Sequence, residues 1–370
     1  MLAQESNELL TQVGPGSPCG ELLRRYWHPV GIAAELTEEK PRKRIRVLGE
    51  DLVLFRLADG RYGLLEEHCS HRRASLFYGF IEEEGLRCPY HGWKYALDGR
   101  CLEQPFEKNP AFKNEVRHPA YPVERLSGLL FAYLGPREKR PQLPRWDFLA
   151  REEWPRKIEI QPVLNCNWLQ PMENAVDPSH TRYLHGETLR RKGLRDASYH
   201  FKRVEQFEYE IGEWGIMKRR VFGDGEKEIG HLLLFPNLLR HPGSLHFRVP
   251  IDDTHTQIYR VIRLGREVEN PERWPDGLPL DYVTTKNPDR EFHMDNFPSQ
   301  DAMAWETQGP VTDRSHEMLG ESDRGITLFR KLLREQIEIV RKGGDPIALL
   351  RNGQNGVIDF VTSEWQGGED

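Results

Sequence analysis

Between Lys43 and about Leu134, apolar residues come in short runs or alternate with polar ones, the period-two texture of β-strands. Ile45-Arg46-Val47-Leu48 and Leu52-Val53-Leu54-Phe55 are examples, and Asp59-Gly60 and Asp98-Gly99 offer the residues that tight hairpin turns require. The stretch predicts a small all-β module of roughly 100 residues. Before it, residues 21–29 predict a short helix, closed where Pro29 restricts the residue ahead of it. After it, the polar, proline-bearing run 135–144 reads as a linker. Beyond the linker a helical pattern covers 165–184, and strand-like runs follow at 199–204, 209–222, 229–235 and 245–264. A loop rich in Pro and Asp occupies about 266–290. From Ser322 the period changes again: Ile326, Phe329, Leu333, Ile337 and Val340 recur at steps of three and four, until Gly343-Gly344 and Pro346 end the helix. Strands followed by helices in this order predict an α+β chain.

Length and charge narrow the classes. The 370 residues suggest about two domains, divided as an N-terminal helical segment over 1–25, a first domain over 26–140 and a second over 141–370. A net charge of -6 argues against a nucleic-acid surface, which needs a basic field. No apolar run approaches the roughly 18 residues of a membrane span, and the N-terminus lacks the basic-then-apolar pattern of a secretory leader. A cytoplasmic location is expected. Five cysteines are too few and too odd for a disulfide framework, and point instead to metal or reactive thiols. With 14 histidines beside them, spacing becomes the question.

Two cysteines and two histidines stand together in the β module, as Cys69-Ser70-His71 and Cys88-Pro89-Tyr90-His91-Gly92-Trp93, with sixteen residues between the pairs. Two facing loops of this kind supply two thiolates to one iron and two imidazoles to another, the ligand set of a Rieske [2Fe–2S] centre. Tetrahedral zinc takes the same four residue types. Zinc sites usually group the cysteines in one pair and the histidines in the other, whereas each pair here is mixed. The stretch closely resembles the Rieske domain of ring-hydroxylating oxygenases. Cys19, Cys101 and Cys166 have no metal-spaced partner and read as small buried apolar residues.

A second constellation follows Asn165: Glu173-Asn174-Ala175-Val176-Asp177-Pro178-Ser179-His180, then His185-Gly186. On an ideal helix, five positions amount to about 140° of rotation, so His180 and His185 would not share a face. To bind one metal, the helix must end or distort between them, and Gly186 is placed to let the chain turn. Asp177-Pro178 also fits a helix cap with proline at the first position, and paired histidines are often surface residues. The whole string resembles the mononuclear iron motif of the same oxygenases, in which two histidines and a distant carboxylate leave open positions on a non-heme iron. Asp289, Glu291, Asp295, Asp301, Glu306 and Asp313 are the carboxylates available. The run from Gln300 is similar to the phthalate dioxygenase-like branch, which makes Asp301 the expected third ligand. Asp313-Arg314 reads as a surface pair.

The resemblance runs nearly end to end and implies a Rieske domain followed by a helix-grip catalytic domain on a curved antiparallel sheet. It implies a terminal oxygenase that hydroxylates or demethylates a small, anionic aromatic substrate with O2, cis-dihydroxylation being the alternative outcome. It also implies assembly as a homotrimer or a multiple of one. The chain has no dinucleotide-binding glycine motif after a strand and no plant-type ferredoxin cysteine run, so a separate flavin and iron–sulfur reductase is expected to supply electrons. By resemblance, electrons pass from His91 through Asp177 to His180 across neighbouring subunits, and Asn174 stands near the open iron positions. Arg240 and Arg248 are candidates to pair with a substrate carboxylate. A Rieske electron carrier without oxygenase activity, and a zinc scaffold, are the readings from other classes.

Overall fold

The structure is a computed structural model that describes residues 2–151, 154–194, 198–228, 230–265, 279–351 and 356–359. The predicted loop at about 266–290 therefore lies outside the described residues as far as 278. Two compact units emerge, one holding Arg24–Leu143, the other the described parts of Met1–Leu23, Pro144–Glu272 and Pro279–Asp370.

The first unit is all β. A four-stranded sheet runs Arg42–Val47, Glu50–Arg56, Tyr62–Glu66 and Ala120–Tyr121, and another runs Phe80–Glu82, Gly85–Arg87, Lys94–Ala96 and Cys101–Glu103. A three-stranded sheet joins Trp27–Ile32 to Leu129–Tyr133 and Val123–Leu126. Both anticipated hairpin turns occur, with Gly60 and Gly99 at left-handed φ of 87° and 80°. Between the sheets lies a core of Val53, Phe55, Leu65, Leu76, Leu86, Trp93 and Tyr95 that also holds Cys69 and Cys88. The helix expected over 21–29 is shorter and earlier, Pro18–Leu23, and Trp27-His28-Pro29 begins a fully buried strand. Those residues gain more by burying their rings in a sheet than their helical pattern could supply.

The second unit is built on an eight-stranded sheet. Its order is Val204–Gly212, Gly215–Phe222, His231–Leu234, Leu238–His241, Ser244–Asp252, His255–Arg263, Arg156–Ile160 and Leu280–Tyr282. All neighbours are antiparallel except the last pair. The runs read as 209–222 and 245–264 are each a hairpin folded back on itself, and 198–201 is a single 3-10 turn. The final helix, Arg324–Arg341, starts where the period change placed it and packs on the helix Leu169–Val176. The N-terminal helices Gln4–Thr11 and Pro18–Leu23 also pack on it. Arg314, read as a surface residue, is fully buried: Glu173 accepts from its Nε and Nη2 and also from Nε of Arg330. Asp313 stays exposed. Among the described residues no helix is long and apolar enough to cross a membrane.

Candidate metal centres

The strands Tyr62–Glu66 and Gly85–Arg87 each lead into a loop bearing one cysteine and one histidine. The first loop is closed by the Cys69 amide donating to Ala74 (2.9 Å) and the Arg73 amide donating to Cys69 (2.9 Å). The second is closed by the Cys88 amide donating to Trp93 (2.8 Å) and the Gly92 amide donating to Cys88 (3.1 Å), with Gly92 at φ 76°. The tight turns aim both thiols inward, and the Tyr95 hydroxyl lies 3.1 Å from the Cys69 sulfur. Burial, and then the sulfur of Cys69, push the Cys88 thiol above its ordinary value. The imidazoles of His71 and His91 meet at 4.6 Å between centroids, and His71 stacks on Trp93 at 4.5 Å. Burial first, then His91 and Arg72, lower the His71 pKa and favour the neutral ligand form. His91 Nδ1 is buried with no hydrogen-bond partner among the described residues. A buried lone pair facing no donor is what a metal ligand shows before its metal is counted. This donor set fits a Rieske cluster.

His118 escaped the sequence reading. Its Nδ1 lies 2.7 Å from Ser70 Oγ and its Nε2 2.8 Å from the Glu66 carbonyl, which braces the first loop. It lies some fifty positions from its partners, and no local motif marks it.

In the second unit, ligand atoms of His180, His185 and Asp301 all lie within 4.8 Å of one another. The five-residue spacing works because the chain stays helical but changes pitch. After Leu169–Val176 comes a 3-10 turn, Ser179–Arg182, and then a π-helical turn, Tyr183–Glu187. His180 lies in the 3-10 turn and His185 in the π turn, so the fixed rotation of a single α-helix does not apply between them. The rings of His180 and His185 stand 5.1 Å apart. Gly186 is not the turning point anticipated for it. Its role is clearance, since a Cβ there would lie 2.6 Å from His200 Cβ.

Each histidine is held by its far nitrogen. His180 Nδ1 lies 2.6 Å from the Asp177 carbonyl, and His185 Nδ1 lies 2.7 Å from Gln300 Oε1. Gln300 Nε2 donates in turn to the Met294 carbonyl (3.0 Å), which fixes its oxygen toward the ring. Both rings are thereby oriented with Nε2 on the side away from these contacts. Asp301 comes from the helix Phe297–Glu306, whose start is capped by Asn296 Oδ1 accepting from the Ser299 amide (2.8 Å). Asp301 Oδ1 lies 3.4 Å from His185 Nε2 and is buried with no hydrogen-bond partner among the described residues. Two imidazole nitrogens and a carboxylate oxygen suit a divalent iron with open positions.

The other carboxylates considered for this site go elsewhere. Asp295 pairs with Lys192, Glu306 with Lys286, and Asp313 is exposed. Asp177 Oδ1 accepts from the Ser179 amide (2.7 Å) in a local turn, the cap position of Ser179–Arg182 being Pro178 rather than Asp177, while Oδ2 sits 3.7 Å from His180 Nδ1. Burial opposes its charge, but His180 and Ser179 outweigh it and hold the carboxyl below its ordinary value. Asn174 is half-buried on the last turn of Leu169–Val176, and its side chain makes no hydrogen bond with the described residues. Arg240 does not reach this site. It lies on the opposite sheet face, 2.8 Å from Asp147 and over the Phe148 ring.

Residues 26–122 match the Rieske [2Fe-2S] domain, and residues 290–358 match the LigXa C-terminal domain-like family. The 5,5'-dehydrodivanillate O-demethylase oxygenase subunit of Sphingobium sp. is 39% identical, covering 95% of this chain and 84% of the relative. The phthalate 4,5-dioxygenase oxygenase subunit of Pseudomonas putida is 33% identical, covering 94% and 89%. The terminal oxygenase of carbazole 1,9a-dioxygenase from Nocardioides aromaticivorans shares the fold, with a TM-score of 0.65 at 21% identity, covering 91% of this chain and 98% of that one. The chain belongs to the Rieske non-heme iron oxygenases, as an oxygenase subunit. It is an oxidoreductase whose cofactors are a Rieske [2Fe–2S] cluster and a mononuclear iron.

Proposed function

We propose that this chain transfers one oxygen atom to a small aromatic substrate, hydroxylating it or demethylating an aryl ether. The supporting observation is the convergence of His180, His185 and Asp301, with both histidines tied back at Nδ1 and one Asp301 oxygen left without a hydrogen bond among the described residues. In this reading Cys69, His71, Cys88 and His91 hold the cluster, and His180, His185 and Asp301 hold the iron. When bound, the cluster supplies electrons singly and the iron activates O2. The protein's own work is to keep both iron histidines in the Nε2-facing orientation, to hold Asp177 charged beside His180, and to enclose the substrate. Asp177 positions His180, and the resemblance adds a part in electron delivery. Residues 26–140 form the redox domain and 141–370 the oxygenating one.

Aryl ether demethylation consumes the ether, O2, two electrons and two protons, and yields the phenol, formaldehyde and water. A separate flavin and iron–sulfur reductase supplies the electrons, and the subunit works as a homotrimer. The relatedness to an O-demethylase subunit favours one-oxygen chemistry over cis-dihydroxylation. The test is a screen of methoxylated and unsubstituted aromatics with NADH and a surrogate reductase, followed by product mass. Formaldehyde with loss of methyl, or gain of one oxygen, is expected. Gain of two oxygens and two hydrogens marks a dihydroxylase instead. Asp301→Ala should lose the mononuclear iron and keep the cluster's visible absorbance, and retention of full iron would reject the ligand assignment.

A further inference from the structure

We infer that His118 is a positioning residue of the Rieske centre: it ties the first ligand loop to the strand carrying Tyr95 and so keeps the Cys69 sulfur within reach of the Tyr95 hydroxyl. This rests on the ligand assignment above.

His118 stands at a junction in the first unit. Its backbone amide donates to the Gly99 carbonyl (2.8 Å), in the hairpin between Lys94–Ala96 and Cys101–Glu103. The first strand of that hairpin follows the second ligand loop and bears Tyr95. The approach leaves no room for a Cβ on Gly99, which would collide with the His118 carbonyl oxygen. On the other side, the Glu66 amide donates to the Pro119 carbonyl (3.0 Å). Residues 118 and 119 are thereby joined also to Tyr62–Glu66, the strand leading into the first ligand loop. The His118 ring is buried and stacks on Tyr95, with 4.5 Å between centroids and 29° between planes.

The partners of this ring fix where its proton lies. The Glu66 carbonyl can only accept, so His118 Nε2, 2.8 Å away, carries the proton. Burial lowers the His118 pKa and keeps the ring neutral, which leaves a lone pair on Nδ1. Ser70 Oγ, 2.7 Å from Nδ1, therefore donates to it. Ser70 stands between Cys69 and His71, so this bond holds the loop at the point where it carries both of its ligands. It also commits the Ser70 proton to His118 rather than to a sulfur.

Tyr95 has the opposite assignment. A metal-bound thiolate only accepts, so the 3.1 Å contact is a Tyr95 O–H donated to the Cys69 sulfur. Tyr95 is fixed in the core opposite Cys101, and whether the bond forms depends on where the first loop is held. A hydrogen bond to a cluster sulfur favours the more negative, reduced state and raises the potential. His118 acts on that bond through Ser70 and through the face of the Tyr95 ring.

The test is a redox titration of the full chain with its cluster loaded, followed by visible absorbance and by the EPR spectrum of the reduced state. Tyr95→Phe should make reduction about tenfold less favourable, about 59 mV for one electron. His118→Phe keeps a ring beside Tyr95 and removes both of its hydrogen bonds, and should produce at least half of that shift. His118→Gln offers one acceptor and one donor in place of the two ring nitrogens and should recover most of it. The double variant Tyr95→Phe with His118→Phe should lie no lower than Tyr95→Phe alone, because His118 works through that hydroxyl. A histidine kept only for structure would lower cluster content or the thermal midpoint and leave the potential of the loaded fraction where it was. An unchanged potential in His118→Phe, or shifts that add in the double variant, overturns the inference. Should His118→Phe take up no cluster, Ser70→Ala decides: a smaller shift in the same direction supports the inference, and an unchanged potential overturns it. Zinc without Rieske absorbance in the wild type removes the ligand assignment itself, and the role of His118 with it.

Discussion

His185 faces the other two ligand residues because Gln300 accepts from its far nitrogen, and Gln300 itself is pinned by Met294. Replacing Gln300 by Leu removes that acceptor, and loss of such a partner typically lowers metal affinity about 10–100-fold. Iron retained after dialysis against a chelator should fall accordingly, with the Rieske absorbance unchanged. Asp177→Asn tests a different role. Its carboxylate accepts from the Ser179 amide just ahead of the Ser179–Arg182 turn and stands beside His180, and the oxygen of an asparagine amide can still accept that bond. The variant should keep both metals and nearly lose turnover in a reductase-coupled assay. Loss of iron would instead make Asp177 a ligand or a structural cap. Six of the seven proposed metal ligands stand in short motifs that carry their residue types at a fixed spacing, whereas Asp301 was singled out among six carboxylates only through the resemblance. Gln300 and His118 were not, since what identifies them is a partner 115 or about 50 positions away.

At the scale of elements, the segment after Leu169–Val176 changes pitch from α to 3-10 to π rather than breaking. The helical rotation argument correctly required a distortion there. It misplaced the cause at Gly186, because periodicity says that a regular helix fails and not which irregular one replaces it. The buried ion network beneath this segment keeps it in place. Glu173, on the helix leading to Asp177, is bonded to Arg314 and to Arg330 of the final helix. Glu173→Ala leaves two buried guanidinium groups short of their anion, a change that costs about 3–5 kcal/mol. Equilibrium denaturation should register that loss, and a change below about 1 kcal/mol would show the network to be dispensable. Both hairpins and the final helix were readable because turn residues and apolar period agree there. Strand Trp27–Ile32 was not, since its burial on all six positions comes from distant neighbours.

Across the whole molecule, folding moves one lysine far from water. Burial brings the Lys218 pKa from 10.5 to about 8, opposed by Asp177 and Glu228 and assisted by Arg220 and Arg248. Between those values the unfolded chain holds a proton that the folded one has released, so this group makes stability rise with pH. Its cost is fully present below about pH 8 and fades toward pH 10.5. Substrate-free Lys218→Met should therefore exceed the wild type in stability at pH 7, by on the order of 3 kcal/mol at most. That advantage should shrink by pH 10 in paired thermal melts, and an advantage independent of pH would contradict the charge argument. The sequence by itself determined the α+β class and the short motifs able to hold metals, because ligand type and short-range spacing are local properties, and the resemblance those motifs carry named the two kinds of metal chemistry and Asp301. It offered Arg240 and Arg248 as equals. Only the tertiary structure separated them, since alternation and register put Arg240 against Asp147 on one face and Arg248 beside Trp305 on the other. Which charges are buried, and which are left without a partner, depends on strands far apart in the chain, and no local pattern records it.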